Sequence, residues 1–299
     1  MEMNRRTVFE LQCGSCSLTL GPRTLIMGIL NVTPDSFSDG GLYFDKEAAI
    51  AQGEALAAAG ADIIDVGGES SRPFSEPVPE DKEIRRVIPV IEELAPRLSV
   101  PISIDTTKAR VAEQAIEAGA AMVNDIGALR GDPDMAGLVA DADVPVVLMH
   151  MKGAPKTMQI EPQYEDVVGE VKNFLADAVH RAEEAGIKRK KIIVDPGIGF
   201  GKTVTHNLRL IKELWALKSL EVPVLIGPSR KSFISKILDP ENESREIGTQ
   251  AVVTTAALNG AHIVRVHDVE RTRKTLKLVD AIRNSVISDR SEANKVHSQ

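Results

Sequence analysis

Polar and charged residues follow short apolar runs at regular intervals along this chain of 299 residues. Carboxylates and amides in such positions can bind a heterocycle that presents N–H donors and a carbonyl, whereas basic and hydroxyl side chains can bind an anion. Burying a charge without a partner is costly, so a ligand is the expected partner. The residues are Asn31, Asp105, Asn124, Asp125, His150, Asp195, Ser229, Arg230, Lys231, Arg265 and His267.

The apolar runs predict the elements that position these residues. Each run is continuous, as expected for a strand buried on both faces, and an amphipathic helical stretch follows it. Eight such units predict an α/β fold, a (β/α)8 TIM barrel, whose chemistry lies at the carboxyl ends of its strands. The polar residues should therefore meet at one barrel mouth, which makes the chain an enzyme candidate. The runs are residues 24–30, 62–66, 101–104, 122–124, 145–149, 191–194, 223–226 and 262–266.

A short N-terminal β-hairpin is expected before the barrel, at residues 9–20, with its turn at Gly14 and Ser15. The spacing of Cys13 and Cys16 could indicate redox or metal chemistry. No second cysteine pair completes a zinc site, and no strand-to-helix context of the thioredoxin type surrounds the pair. We therefore interpret the hairpin as a structural plug for the bottom of the barrel.

The composition is that of a globular protein, with 43% hydrophobic and 26% charged residues. We expect one domain, with residues 1–22 as the hairpin, 23–285 as the barrel and 286–299 as a flexible tail. The net charge of −7 argues against nonspecific nucleic-acid binding. Neither a bilayer-spanning stretch nor a signal peptide is evident, so we expect a cytoplasmic protein without nucleic-acid or membrane partners.

An anion site is predicted after the seventh run, where Ser229, Arg230 and Lys231 open a helix. A hydroxyl cap, two cations and the free N–H groups of a helix N-terminus can bind phosphate, which TIM barrels often hold after strands seven and eight. Arg265 and His267 lie beside it, on one face of the eighth strand. Alternatively, the two cations are a solvated helix start.

The sequence DPGIGFGKT, which starts at Asp195, looks at first like a phosphate-binding P-loop. The P-loop motif needs glycine at the position of Pro196, so the match fails and nucleotide hydrolysis is not expected. What remains is an aspartate at a strand end, followed by glycines that allow a flat ligand to approach the backbone. The residues expected around the barrel axis are Asp105, Asn124, Asp125 and Asp195.

Two predicted loops, residues 33–44 and 67–79, are too long for simple turns and are expected to be lids or binding loops. The first could bind phosphate, hold a hydrated metal ion or form only a polar surface. Asn31 faces the mouth beside it. His150 could be a structural histidine, and no grouping of His, Asp and Glu has a transition-metal spacing.

Several strings of residues resemble the dihydropteroate synthase family, in order from about residue 28 to residue 267. That family is a (β/α)8 barrel of folate biosynthesis. It condenses 6-hydroxymethyl-7,8-dihydropterin diphosphate with 4-aminobenzoate to give 7,8-dihydropteroate and diphosphate. The resemblance implies the same transferase activity here. The strings are GILNVTPDSFSDGG at 28–41, DVGGESSRP at 65–73, SIDT at 103–106, NDI at 124–126, DPGIGFGK at 195–202 and SRKSF at 229–233.

The resemblance also implies roles for single residues, with Asp105, Lys231 and Asn31 as the catalytic ones. The implied pterin site comprises Asp105, Asn124, Asp195 and Lys231. The implied diphosphate site comprises Asn31, Arg72, Arg265 and His267. The cofactor Mg2+ would bridge the diphosphate to Asn31. The implied aminobenzoate pocket comprises Ser71, Arg72, Pro73, Phe200 and Ser229.

The implied mechanism is SN1-like. Diphosphate leaves first, and the amine then attacks a resonance-stabilised pterin cation. Cations and the metal stabilise the departing charge, while Asp105 supplies negative potential near the forming cation. The family is usually dimeric and is a sulfonamide target, so a sulfonamide-binding homodimer is implied.

The second loop departs from the family pattern, Gly-Glu-Ser-Thr-Arg-Pro-Gly, at two positions. Ser71 replaces threonine and keeps the hydroxyl, whereas Phe74 replaces glycine and adds a bulky ring beside the aminobenzoate pocket. We hypothesise that Phe74 alters loop closure and the fit of sulfonamides. Equal sulfonamide inhibition of the native chain and a Phe74→Gly variant would contradict this.

Two other functions compete with a synthase. A pterin-dependent methyltransferase binds a related ring but transfers a methyl group to a corrinoid protein and needs no diphosphate site, so the predicted anion site counts against it. A noncatalytic pterin-binding paralogue is disfavoured by the joint presence of Asn31, Asp105, Lys231, Arg265 and His267.

Overall fold

The computed structural model describes residues 6–33, 42–70, 76–153, 158 and 161–285. An antiparallel hairpin comes first, formed by β1 (Phe9–Cys13) and β2 (Cys16–Leu20), as the sequence predicts. Gly14 in its turn has a φ of 56°, which glycine adopts without strain. Parallel strands follow: β3 (Leu25–Asn31), β4 (Ile63–Gly67), β5 (Ile102–Asp105), β6 (Met122–Asp125), β7 (Val146–Met149), β8 (Ile192–Asp195), β9 (Leu225–Ile226) and β10 (Ile263–Val266).

Helices alternate with these strands and surround them. In the sheet the strand order is β8-β7-β6-β5-β4-β3-β10-β9, and a parallel bridge joins Val194 of β8 to Val224, just before β9. The eight strands are thus nearly closed into a barrel, which confirms the predicted fold class. The helices are α1 (Leu42–Ala58), α2 (Glu80–Leu94), α3 (Ala109–Glu117), α4 (Met135–Ala142), α5 (Val167–Glu184), α6 (Val204–Lys212), α7 (Ser232–Ile237), α8 (Asn242–Leu258) and α9 (Val269–Asn284).

The ends of the predicted strands differ from the observed ones by at most two residues, and some coincide. Pro101, Pro145 and Pro223 head three of the predicted runs but lie before β5, β7 and β9. Proline has no N–H to donate to a strand ladder, so just before a strand it contributes only its carbonyl oxygen as a hydrogen-bond acceptor. The carbonyl of Pro101 accepts from the N–H of Ile64 at 3.1 Å.

The strands are buried on both faces, and alternate residues serve two apolar clusters. Residues such as Ile26, Ile64 and Val123 face outward and pack with the helices in the larger cluster. Met27, Ile63 and the others of the second cluster face the barrel interior. The second cluster comprises Leu11, Cys13, Leu20, Leu25, Met27, Ile63, Met122, Val147, Ile193, Leu225 and Ile263.

The hairpin closes the N-terminal end of the barrel, as predicted. Leu11 and Leu20 are 0% exposed and pack on the inward-facing strand residues. Cys13 and Cys16 lie opposite each other in the hairpin as free thiols, and burial raises the pKa of Cys13 to about 12. A thiol that stays protonated is a poor nucleophile and metal ligand, which agrees with a structural role.

Across the described residues, no helix is both long enough and apolar enough to cross a membrane. The tail predicted at residues 286–299 lies outside the described residues.

Candidate active site

The carboxyl ends of the strands bring together several of the predicted site residues. The side chain of Arg265 in β10 crosses the barrel and donates from Nη2 to Oδ2 of Asp105 at 2.6 Å. Asn124 is paired with Asp105 in the β5–β6 register and is 4% exposed. Asp195 ends β8 and is 5% exposed. Carboxylates, an amide and a guanidinium thus share one small space at the barrel mouth.

Asp65 in β4 belongs to this group, although the sequence analysis assigned it no role. Its Oδ2 accepts from Nε of Arg265 at 2.5 Å and from Nδ2 of Asn124 at 3.0 Å. The carboxylate is 0% exposed. A sequence signal existed, because a carboxylate in the middle of the apolar strand sequence IIDVG must be buried and therefore needs partners.

Burial shifts the ionisation of the mouth residues. It raises the pKa of Asp105 to about 7, against the opposing effect of the Arg265 guanidinium. It raises the pKa of Asp195 to about 6, although the N–H of Gly197 donates to Oδ1 at 2.7 Å. It lowers the pKa of Lys231 to about 8, assisted by the positive charge of Arg265. All three groups are held close to a change of charge near neutral pH.

Lys231 lies against Phe200 at the side of the mouth. Its Nζ is 4.0 Å from the centroid of the Phe200 ring, a cation–π contact. Phe200 is 6% exposed and packs with Met149 and Met158. The family resemblance assigns Lys231 to the pterin site and Phe200 to the aminobenzoate pocket. Because the two side chains are in contact, they form one continuous wall.

The predicted anion site at residues 229–231 is wrong in its details. Helix α7 begins at Ser232, so Lys231 is the N-cap and Ser229 is not. The Ser229 hydroxyl instead lies 2.9 Å from Nδ1 of His267. Arg230 donates from Nε to Glu246 at 2.5 Å. Burial lowers the pKa of Lys231, and the negative charge of Asp195 opposes this effect. Prediction from the sequence missed the ion pair because Glu246 lies on the next helix.

Asp125 does not face the barrel axis, contrary to the sequence-based expectation. Its carboxylate accepts from the N–H groups of Gly127 and Leu129, each at 2.7 Å, and so orders the loop after β6. Successive side chains of a strand point to opposite faces, so Asn124 and Asp125 cannot both face inward. The alternation of side chains along a strand was therefore enough to predict that Asp125 points away from the axis if Asn124 points towards it.

The glycines after Asp195 serve the contact between two loops. A Cβ atom on Gly197 would lie 1.9 Å from the carbonyl oxygen of His150, and one on Gly201 would lie 2.4 Å from that of Lys152. These two glycines therefore allow the loop after β8 to pack on the loop after β7. The approach of a flat ligand to this backbone stays a prediction.

Lys202 holds the same loop and was not identified from the sequence. Its Nζ is 2.9 Å from the carbonyl oxygens of Gly197 and Phe200 and from Nδ1 of His150. Burial lowers the pKa of Lys202 to about 7 and also holds the pKa of His150 far below its usual value. His150 is thus a neutral hydrogen-bond acceptor, in agreement with its structural interpretation.

The start of the second long loop is held by a partly buried ion cluster. Lys108 contacts both Glu69 and Glu83, and Glu83 is 0% exposed. Arg86 donates to the carbonyl of Gly68 at 2.7 Å. These contacts tie the loop after β4 to helix α2 and to the loop that follows Asp105 at the end of β5.

Asn31 ends β3 at the rim, next to Gly67 in the register. Its amide oxygen is a hard donor of the kind that Mg2+ accepts. Among the described residues, no group of three or more His, Cys, Asp or Glu side chains could hold a metal ion. A Mg2+ ion held by Asn31 would therefore need phosphate oxygens and water to complete its coordination shell.

Several predicted residues fall outside the part of the chain that the structure describes. They are Ser71, Arg72, Pro73 and Phe74 of the second loop, together with residues 34–41 of the first loop.

Comparison with known proteins gives the arrangement a family. Residues 27–267 match the model of the pterin binding enzyme family. The dihydropteroate synthase of Synechocystis sp. is 47% identical over 273 residues, which cover 91% of this chain and 94% of that protein.

Two solved structures of the Xanthomonas albilineans dihydropteroate synthase share the fold. One, with 4-aminobenzoic acid, is 47% identical, has a TM-score of 0.88 and covers 94% of this chain and 100% of that chain. The other, in complex with 7,8-dihydropteroate, is 45% identical, has a TM-score of 0.84 and covers 93% of this chain and 100% of that chain. The chain therefore belongs to the dihydropteroate synthases, within the pterin-binding enzymes.

Proposed function

We propose that the barrel mouth joins 6-hydroxymethyl-7,8-dihydropterin diphosphate to 4-aminobenzoate, releasing diphosphate and 7,8-dihydropteroate. The observation that carries the proposal is the convergence of Asp105, Asn124, Asp195, Lys231 and Arg265 at one end of the barrel in a chain of this family.

The pterin ring is proposed to lie on Asp105, Asn124, Asp195 and Lys231. A dihydropterin presents a row of N–H donors and a carbonyl, which match two carboxylates, an amide oxygen and an ammonium. Asp105 and Asp195 carry pKa values raised by burial, so a ligand that donates hydrogen bonds to them relieves an unfavourable burial of charge.

The diphosphate is proposed to lie at the rim, between Asn31, Arg72, Arg265 and His267. Arg265 and His267 leave β10 on the same face, and the Ser229 hydroxyl orients the His267 ring. Asn31 would hold Mg2+, which when bound neutralises part of the diphosphate charge.

The aminobenzoate is proposed to lie along Ser71, Arg72, Pro73, Phe200 and Ser229. Phe200 supplies an apolar wall whose position is set by Met149, Met158 and the Lys202 hydrogen bonds. The X. albilineans enzyme that contains 4-aminobenzoic acid supports an aminobenzoate pocket in this family.

In the proposed reaction, the bond between the exocyclic methylene carbon and the diphosphate oxygen breaks first, and its electron pair leaves with the diphosphate. Arg265 and His267 stabilise that departing charge, while Asp105 places negative potential near the carbocation. The amine of 4-aminobenzoate then forms the C–N bond and loses a proton to solvent. The residues bind, orient and stabilise charge, and none becomes covalently attached.

The test is product formation by purified protein with dihydropterin diphosphate, 4-aminobenzoate and Mg2+. We expect 7,8-dihydropteroate to form, with release of diphosphate, only when aminobenzoate is present. Diphosphate release without 7,8-dihydropteroate in the complete mixture would contradict a synthase, and pterin binding without turnover would favour a noncatalytic paralogue. Asp105→Asn should weaken pterin binding, whereas Asp125→Asn is the matched control, because its carboxylate faces the loop after β6.

We also infer a homodimer, supported by an exposed apolar patch on α7 and α8. Ile237, Leu238 and Ile247 are 51%, 50% and 58% exposed. Sedimentation of the native chain and an Ile247→Lys variant tests this, with a monomeric native chain as the contradicting result.

A further inference from the structure

Asp65 is the most deeply buried charged group of the barrel mouth. It pairs in register with Ser103, while Gly67 pairs with Asp105, so its side chain lies one layer below that of Asp105. Its Oδ2 accepts both hydrogen bonds described above, whereas its Oδ1 has no hydrogen-bond partner among the described residues. A carboxylate below the mouth that is 0% exposed cannot itself touch a ligand in the mouth.

The first consequence concerns the orientation of Asn124. An ionised carboxylate only accepts hydrogen bonds, so the Asn124 amide must direct its Nδ2 towards Asp65. The amide oxygen of Asn124 is then directed away from Asp65. Asp65 therefore decides that this position presents an acceptor to a ligand rather than a donor.

The second consequence concerns Arg265. Its guanidinium is held at two points, with Nε on Asp65 and Nη2 on Asp105. Asp105 is 14% exposed and can be reached by a ligand, whereas Asp65 is 0% exposed and cannot. A ligand that donates to Oδ2 of Asp105 competes with Nη2 for that oxygen, and once Nη2 is displaced the Nε contact is the remaining anchor.

We propose that Asp65 is a positioning residue that sets the acceptor orientation of Asn124 and serves as the pivot about which Arg265 moves from Asp105 towards the diphosphate. The proposal rests on the proposed function, because it takes Asp105 and Asn124 as the pterin site. It links binding of the pterin ring to binding of the diphosphate. The ring displaces the Arg265 guanidinium from Asp105, and the guanidinium then binds the diphosphate.

The test compares two neighbouring buried positions. Asp65→Asn keeps the size and one acceptor oxygen but removes the charge. Ser103→Ala is the matched control, because Ser103 is paired with Asp65, is 0% exposed and has no partner for its Oγ among the described residues. By calorimetry without aminobenzoate, Asp65→Asn should raise the Kd for dihydropterin diphosphate about tenfold, the size expected for a hydrogen bond to a charged group. The KM for 4-aminobenzoate should change less than about twofold.

A double-mutant cycle separates positioning from mere structure. In an Arg265→Gln background, Asp65→Asn should raise the Kd by less than about threefold, because the guanidinium partner of the carboxylate is already gone and only the Asn124 contact is left to lose. An undiminished effect in that background would overturn the pivot. Should Asp65→Asn fail to fold, Arg265→Lys serves instead, since lysine lacks the fork that spans both carboxylates. Native affinity in Arg265→Lys would equally overturn the proposal.

The failure of this inference is distinguishable from that of the proposed function. If the native chain does not bind dihydropterin diphosphate, or if Asp105→Asn binds it as tightly as the native chain, the pterin site itself is wrong. If the native chain binds and Asp105→Asn is weakened, but Asp65→Asn behaves like Ser103→Ala, only the role of Asp65 is wrong.

Discussion

The two ends of the barrel are built from the same strands and have opposite chemistry. On β4 the inward residue near the hairpin is Ile63 and the next inward residue is Asp65. On β10 the same step leads from Ile263 to Arg265. The step recurs on β6, from Met122 to Asn124, and on β8, from Ile193 to Asp195. Two residues along each of these strands thus separate an apolar layer from a charged one.

The difference shows how the fold separates stability from function. Burying one large apolar side chain contributes about 1.5–3 kcal/mol to folding, and the hairpin end consists of such side chains. Buried charges cost several kcal/mol each unless they are paired, so the mouth relies on its ion pairs. We therefore expect substitutions at the mouth to change activity and substitutions at the closed end to change stability.

The largest expected effect is at the mouth. Lys231→Met should lower kcat/KM for dihydropterin diphosphate by roughly 100- to 1,000-fold, as for loss of one preorganised charge-stabilising donor. Its melting temperature should stay equal or rise, because burial disfavours the Lys231 charge. Steady-state kinetics and thermal unfolding measure both. Lys236→Met on exposed α7 surface is the control, and a Lys231 variant with native kinetics would remove Lys231 from the site.

At the closed end, Leu11→Ala should lower the free energy of unfolding by about 2–5 kcal/mol, since Leu11 is fully buried. Its kcat, measured at a temperature where the variant stays folded, should remain within about twofold of the native value. Denaturant unfolding tests the expected loss of stability, and product assays test the expected kcat. Val8→Ala, at a position 57% exposed, should be nearly neutral. A selective loss of kcat in Leu11→Ala would break the separation between the two ends.

The pH dependence should also belong to the mouth. Productive binding of the free enzyme needs Asp105 ionised and Lys231 protonated, with pKa values of about 7 and about 8. The value of kcat/KM should therefore fall below the first and above the second, in a bell-shaped profile. Asp105→Asn should move the acid limb down towards the pKa of the remaining carboxylate, Asp195, which is about 6. A native profile that is flat across this range would contradict the assignment of both groups.

The smallest effect is expected at the hairpin cysteines. Cys13→Ala should cost about 1 kcal/mol of stability through lost packing, and Cys16→Ser should be nearly neutral. Neither should alter kcat or the response to a chelator. Loss of activity in either variant would show that the closed end takes part in chemistry, which the buried, protonated Cys13 thiol argues against.

Local patterns along the chain were enough to predict the barrel, the hairpin that plugs it and the family. Continuous apolar runs predict strands buried on both faces, and the strand-end residues Asp105, Asn124, Asp195 and Arg265 follow from counting along those runs. Three strands were predicted to start too early because a proline headed the apolar run. Proline lacks the N–H that a strand ladder needs, and hydropathy does not reveal this.

Contacts between these residues depend on the three-dimensional fold and are not visible in the sequence. Asp65 and Arg265 form an ion pair although they are 200 positions apart in the chain. Arg230, before α7, pairs with Glu246 in α8. Lys202 binds carbonyl groups that only the folded loop brings together. Hydrogen bonds and ion pairs act over about 3–4 Å, so they depend on how the barrel closes and on which face each side chain takes. The sequence pattern predicts which polar residues lie at the barrel mouth. The closure of the barrel determines the hydrogen-bond and ion-pair partners of those residues.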